Sequence, residues 1–160
     1  MSEDRALDRA IAQVEAVAGG SVRAPAVAAF FDEATFTASY VIHDPATRRG
    51  AIIDSVLDFD PPSGRTSTRS ADLLIAHVEV QGLTIDWLLE THVHADHLTA
   101  ADYLQGKLGG KQAIGREIVA VQRTFGVLFN DCDEFARDGS QFERLLDDGD
   151  ELSVGVWPGT

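Results

Sequence analysis

The sequence has 160 residues, one cysteine and a formal net charge of −13 from 13 basic and 26 acidic side chains. That length fits one domain that buries its own core without a disulfide or metal staple, and the charge repels phosphate backbones and anionic lipid, so neither nucleic acid nor membrane is expected as a partner. The lone thiol Cys132, the lack of any apolar run of membrane-spanning length and an N-terminus that mixes acids with arginines all point to the cytoplasm.

Leu7, Ile11, Val14 and Ala18 recur at helical spacing and Gly19-Gly20 stops them, which predicts a short amphipathic helix over 3–18. "SVRAPAV" follows as a linker, so residues 1–24 form a helical extension and 25–160 the main domain. The rise in β-branched and aromatic residues from Ala34 to Ile42, the turn "DPATRRG" and the run "AIID" predict a β-hairpin whose second strand ends in the carboxylate of Asp54. His43, beside Asp44-Pro45, reads as a turn residue. Residues 56–69 are expected to form a long loop, after which Ser70 caps a helix that runs to Gln81 and stops at Gly82. Within that helix His77 has apolar neighbours, as structural histidines do.

"LTIDWLLE" then predicts a buried strand, and "LTAADYLQGKLGG" a helix closed by Gly109-Gly110. A short strand near 112–114, a helix over 117–129 and a strand near 151–156 complete an α/β pattern with helices on one face of a sheet. The acidic "DDGDE" lacks the ligand spacing of a calcium loop and reads as a solvated turn.

Between the buried strand and the next helix lies "THVHADH", residues 91–97. His92 and His94 are two apart, so in extended backbone both imidazoles face one side and can share a cation. Asp96 and His97 follow after the chain turns, placed either to serve a second cation or to orient the first set. Imidazole with carboxylate suits zinc, iron or manganese better than magnesium or calcium. No nucleophile elbow, phosphate loop or dinucleotide fingerprint occurs elsewhere.

In this context "THVHADH", with Asp54 at the end of an earlier strand, resembles the H-x-H-x-D-H motif of the metallo-β-lactamase superfamily. "FFDEATFTASYVI", "AIIDSVLDFDPPSGRTS", "ETHVHADHLTAADYL" and "FARDGSQFERLLDDGDEL" are similar to its persulfide dioxygenase-like branch, over about residues 25–155. The resemblance implies an αββα sandwich, here its first αβ half. It also implies a single Fe(2+) centre that oxidises glutathione persulfide with dioxygen to sulfite and glutathione. His92 would then be the iron ligand, while His94, Asp96 and His97 shape the neighbouring second site or its hydrogen-bonding shell. Asp96 is the candidate catalytic residue, and Asp54 holds the loop. In the dizinc hydrolases of the superfamily, His92 and His94 would bind one Zn(2+), and Asp96 and His97 the other.

The family completes its metal shell with a later histidine in a "PGHT"-like turn and an aspartate in a "GDTL"-like turn. Here the sequence ends "VGVWPGT", with no histidine after His97, and nothing places Asp131, Asp133 or Asp138 as substitutes. The expectation is a half-site with weak iron retention and little dioxygenase activity, on a sheet whose open apolar face drives self-association. The substrate implied is a small thiol persulfide or glutathione conjugate. The alternatives are a dizinc thioester hydrolase of the glyoxalase II kind and a non-catalytic remnant that associates through its open sheet.

Overall fold

Asp44 organises the first hairpin. Its carboxylate is 1% exposed and accepts hydrogen bonds from Ala46 N (2.9 Å) and Thr47 Oγ1 (2.8 Å), turning the chain from β2 (Thr37–His43) into β3 (Arg49–Ile53). These contacts come from a computed structural model that describes residues 11–12, 14–16, 18–19, 24–129, 135–155 and 157–159. The hairpin read from the sequence is thus present. β1 (Ala26–Asp32) pairs antiparallel along the full length of β2, so the expected linker gives way to strand from Ala26, just after Pro25. The described residues within 11–18 are helical, while the rest of the expected N-terminal helix, and Asp131, Cys132 and Asp133, lie outside the described residues.

Three crossover connections follow, each through a helix. α1 (Arg69–Gln81) links β3 to β6 (Thr84–Glu90), α2 (Ala101–Leu108) links β6 to β8 (Lys111–Gly115), and α3 (Ile118–Leu128) links β8 to β9 (Arg144–Leu146). The sheet order is β1-β2-β3-β6-β8-β9, antiparallel up to β3 and parallel from there. Parallel pairing requires such crossovers. Gly82, at φ 62°, closes α1 in the left-handed conformation, at the stop the sequence predicts.

The expected loop over 56–69 is instead a second hairpin, β4 (Val56–Asp60) and β5 (Arg65–Ser67), turned by Pro61 to Gly64. β4 also pairs with β7 (Leu98–Thr99), so a two-residue strand separates "THVHADH" from α2. Ser70 does not cap α1 with its own oxygen. Its amide and hydroxyl both donate to Asp58 on β4, at 2.9 and 2.8 Å, and Asp58 thereby satisfies the helix end from another element. Burial pushes the Asp58 carboxyl up, but the Ser70 hydrogen bonds and the Arg69 guanidinium outweigh it and hold it below its ordinary value.

The core lies between one face of the sheet and two helices. Val41, Ile52 and Leu88 meet Ala71, Leu74 and Val78 of α1 and Ala101 and Leu104 of α2. Each large side chain buried this way contributes about 1.5–3 kcal/mol. His77 sits at its edge with its ring 5.4 Å from Phe30, the structural role expected of it. His43 ends β2 rather than occupying a turn. On the other face Trp87 Nε1 donates to Ser153 O (3.1 Å), tying down β10 (Leu152–Val154), which pairs with β11 (Trp157–Gly159). Among the described residues no helix is long and apolar enough to cross a membrane.

Candidate metal centre

Parallel strands β3 and β6 end side by side, and each ends in a carboxylate: Asp54 just after β3, Glu90 as the last residue of β6. The open C-terminal edge of such strands is where α/β sheets collect ligands. Asp54 takes φ 52°, a left-handed conformation costly for a non-glycine residue, and is held in it by Asp54 N to Leu89 O (2.9 Å) and by Ser39 Oγ donating to Asp54 O (2.6 Å). Its carboxylate accepts from Thr91 N and Thr91 Oγ1, both at 2.7 Å, and so pins the first residue of "THVHADH".

The three imidazoles gather. Ring centroids lie 4.4 Å apart for His92 and His94 and 4.1 Å apart for His94 and His97. One ligand atom each from His92, His94 and Asp96 falls within 4.8 Å of the others. Asp96 therefore groups with His92 and His94, and its Oδ2 also lies 3.4 Å from His97 Nδ1. The loop between β6 and β7 supplies all four residues, as expected.

Hydrogen bonding sets which nitrogen of each ring is free. Thr91 Oγ1 gives its proton to Asp54, so at 2.9 Å it accepts from His92 Nδ1 and leaves Nε2 bare. His94 Nε2 faces two acceptors, Glu90 Oε2 at 2.8 Å and Asp54 Oδ1 at 3.2 Å, which leaves Nδ1 bare. Thr37 Oγ1 donates to Asp96 Oδ2 (3.2 Å) and accepts from His97 Nδ1 (3.2 Å), and His97 Nε2 is buried with no hydrogen-bond partner. Each ring thus has one nitrogen held by the protein and a lone pair to offer, the arrangement of a metal-ligating histidine. The buried, unmatched Nε2 of His97 is costly unless something binds it.

The charge states suit a cation. Burial, then the neighbouring His94, push His97 below its ordinary value against the pull of Asp96, which keeps its imidazole neutral. Asp96's own backbone amide holds its carboxyl low, with burial opposing and His97 and Thr37 assisting, so it is ionised while half exposed. Burial raises Glu90, against the hydrogen bonds from Thr99 and His94, and Asp54 adds to the rise. Asp138, an alternative carboxylate, accepts from Ser140 N in its own turn. Beside the cluster an apolar depression of about 170 Å³ is lined by His92, Val93, Ile114 and Ile118.

The sequence pattern of the metallo-β-lactamase superfamily matches residues 33–158. The chain belongs to that superfamily. Among superfamily relatives it is 60% identical over 130 residues to a probable metallo-hydrolase of Burkholderia pseudomallei, covering 81% of this chain and 44% of the relative. It is 44% identical over 120 residues to glyoxylase B2 of Dictyostelium discoideum (74% and 41%) and 28% identical over 119 residues to the human mitochondrial persulfide dioxygenase ETHE1 (74% and 42%). The crystal structure of ETHE1 from Myxococcus xanthus superposes with a TM-score of 0.57 at 27% identity, over 81% of this chain and 44% of that one. The chain spans less than half the length of each of these relatives. The mixed sheet with its helices is the expected α/β architecture of the superfamily.

Glu90 and Thr37 are the site residues that sequence reasoning missed. Glu90 carried the same signal as Asp54, an acid ending an apolar strand. Thr37 carried none, because its role depends on a contact 60 residues away.

Proposed function

We propose that His92, His94, Asp96 and His97 bind a transition-metal ion as the motif half of a persulfide dioxygenase-like iron site, the kind that oxidises glutathione persulfide to sulfite, with the weak iron retention and low activity expected of a half-site. The observation that carries this reading is the set of three bare imidazole nitrogens beside an ionised carboxylate at one strand edge. Imidazole with carboxylate is the donor chemistry of non-haem iron and of zinc. Likeness to the ETHE1 proteins supports the oxidative branch.

When bound, iron(II) supplies one-electron chemistry toward dioxygen. The protein's part is binding, orientation and exclusion of water. Thr91, Glu90 and Thr37 fix the proton on the far nitrogen of each ring, so no ring must lose a proton or turn before it can bind. Asp96, half exposed and ionised, is the carboxylate that can take part directly at the open side. The apolar depression beside His92 offers a dry wall for a sulfur-bearing substrate.

A second reading, a dizinc hydrolase attacking a thioester, is favoured by the names of the relatives at higher identity, a metallo-hydrolase and glyoxylase B2. Anaerobic loading with Fe(II) or Zn(II), metal analysis and two assays separate the readings. Iron-dependent oxygen uptake with glutathione persulfide supports the first. Zinc-dependent cleavage of S-lactoylglutathione without oxygen uptake supports the second, and no metal retention with either ion rejects both.

A further inference from the structure

Glu90 is the best-buried acid of the site, its side chain 4% exposed, and it lies against the inner side of His94, itself 6% exposed. We propose that Glu90 is the positioning carboxylate of the metal centre: together with Thr99 it locks the His94 ring with hydrogen on Nε2, so that the Nδ1 lone pair faces the cation. The inference rests on the metal reading of the histidine cluster.

Two carboxylates approach His94 Nε2, and their geometry ranks them. Glu90 Oε2 is at 2.8 Å and Asp54 Oδ1 at 3.2 Å. Asp54 already accepts two hydrogen bonds from Thr91, at 2.7 Å each, so its oxygens are committed to the loop. Glu90 has no such duty. Its other oxygen accepts from Thr99 Oγ1 at 2.5 Å, and that hydroxyl in turn accepts from Ala101 N at 3.1 Å, at the start of α2.

The direction of each bond follows from this chain. Ala101 can only donate, so Thr99 gives its own proton to Oε1, and Oε2 is left to accept from the ring. α2 is thus coupled through Thr99 and Glu90 to the orientation of one imidazole. Without the carboxylate, His94 is free to carry its proton on Nδ1, the nitrogen a cation needs. Asp54 alone then has to hold both Thr91 and the ring.

Two readouts on the full chain test the proposal. Long-range proton–nitrogen NMR correlations of the metal-free protein report the tautomer of each histidine, and a cobalt(II) titration followed by visible absorption reports affinity. In the unaltered protein, His94 is expected as the Nε2–H tautomer. Glu90→Gln keeps the side-chain volume and is expected to mix the His94 tautomers and weaken cobalt binding about 10–100-fold. Thr99→Val, which leaves Glu90 in place but unclamped, is expected to weaken binding by less. An Nδ1–H tautomer in the unaltered protein overturns the proposal, as does a Glu90→Gln variant with unchanged tautomer and affinity. If Glu90→Gln fails to fold, the tautomer of the unaltered protein and the Thr99→Val affinity decide. Failure of the unaltered protein to take up cobalt rejects the metal reading itself, whereas cobalt uptake indifferent to Glu90→Gln rejects only the role of Glu90.

Discussion

Thr37 and His97 are 60 positions apart in sequence, yet Thr37 Oγ1 lies 3.2 Å from His97 Nδ1. The hydroxyl also reaches Asp96 Oδ2 at 3.2 Å, so one small side chain on β2 sets the proton position of a ring and steadies a carboxylate. Thr37→Val keeps the shape and removes both bonds, together with the one Thr37 Oγ1 accepts from Thr35 Oγ1 at 2.9 Å. It is expected to lower stability by about 1 kcal/mol in urea denaturation, the usual net worth of such hydrogen bonding, and to weaken cobalt(II) binding as the His97 ring loses its orientation.

His92 is exposed, and its ring makes few demands on the fold. His92→Ala is therefore expected to leave metal-free stability within about 0.5 kcal/mol of the unaltered protein. On the proposed reading it should instead remove the response to metal. At a free cobalt or zinc concentration of about 100 times Kd the unaltered protein gains about 2.7 kcal/mol, seen as a rise in Tm that a chelator reverses. In His92→Ala that rise should be small or absent. An equal rise in both proteins places the ion elsewhere.

Asp58 offers a pH-dependent test away from the histidines. Its folded-state carboxyl lies below the ordinary value of 3.8, so its contribution is fully present above that value and lost as the pH falls through the lower folded value. Asp58→Ala uncaps α1 and is expected to cost about 1 kcal/mol at neutral pH. The gap between the two proteins should narrow as acid is added below the ordinary carboxylate range. A gap that stays constant down to the lowest pH at which both proteins fold contradicts the capping role.

Leu104, on α2, is 0% exposed and packs in the core between that helix and the sheet. Leu104→Ala is expected to cost 2–5 kcal/mol, roughly, through lost burial and the cavity it leaves. Because α2 also bears on Glu90 through Ala101 and Thr99, the variant should weaken cobalt binding too. Urea denaturation and cobalt titration of the same preparation check both effects.

The legible parts of this protein were those whose cause is local. The turn at Asp44, the stop at Gly82 and the strand "LTIDWLLE" each act over a few residues, and each stands in the structure as read. The hairpin over 56–67 was hidden because Asp58 and Asp60 are poor strand formers and β4 is defined by partners at 65–67 and 98–99. β9 escaped for a related reason: its three residues become a strand only beside β8. Within the site the candidate ligands were visible as a motif, whereas the side chains that hydrogen-bond to them, Thr37 and Glu90, acquire their meaning from the register of β2, β3 and β6.

That register also bears on how the site comes into being. Asp54 and Glu90 become neighbours only when β3 and β6 align in parallel, which cannot happen until the intervening hairpin and α1 have closed a long crossover. Pairing across such a separation pays its loop-closure entropy before any contact rewards it, which makes it intrinsically slow. A nascent or unfolded chain therefore holds these histidines without the hydrogen-bonded frame, and on the proposed reading a metal ion is expected as a guest of the finished sheet, not as the template on which the sheet is assembled.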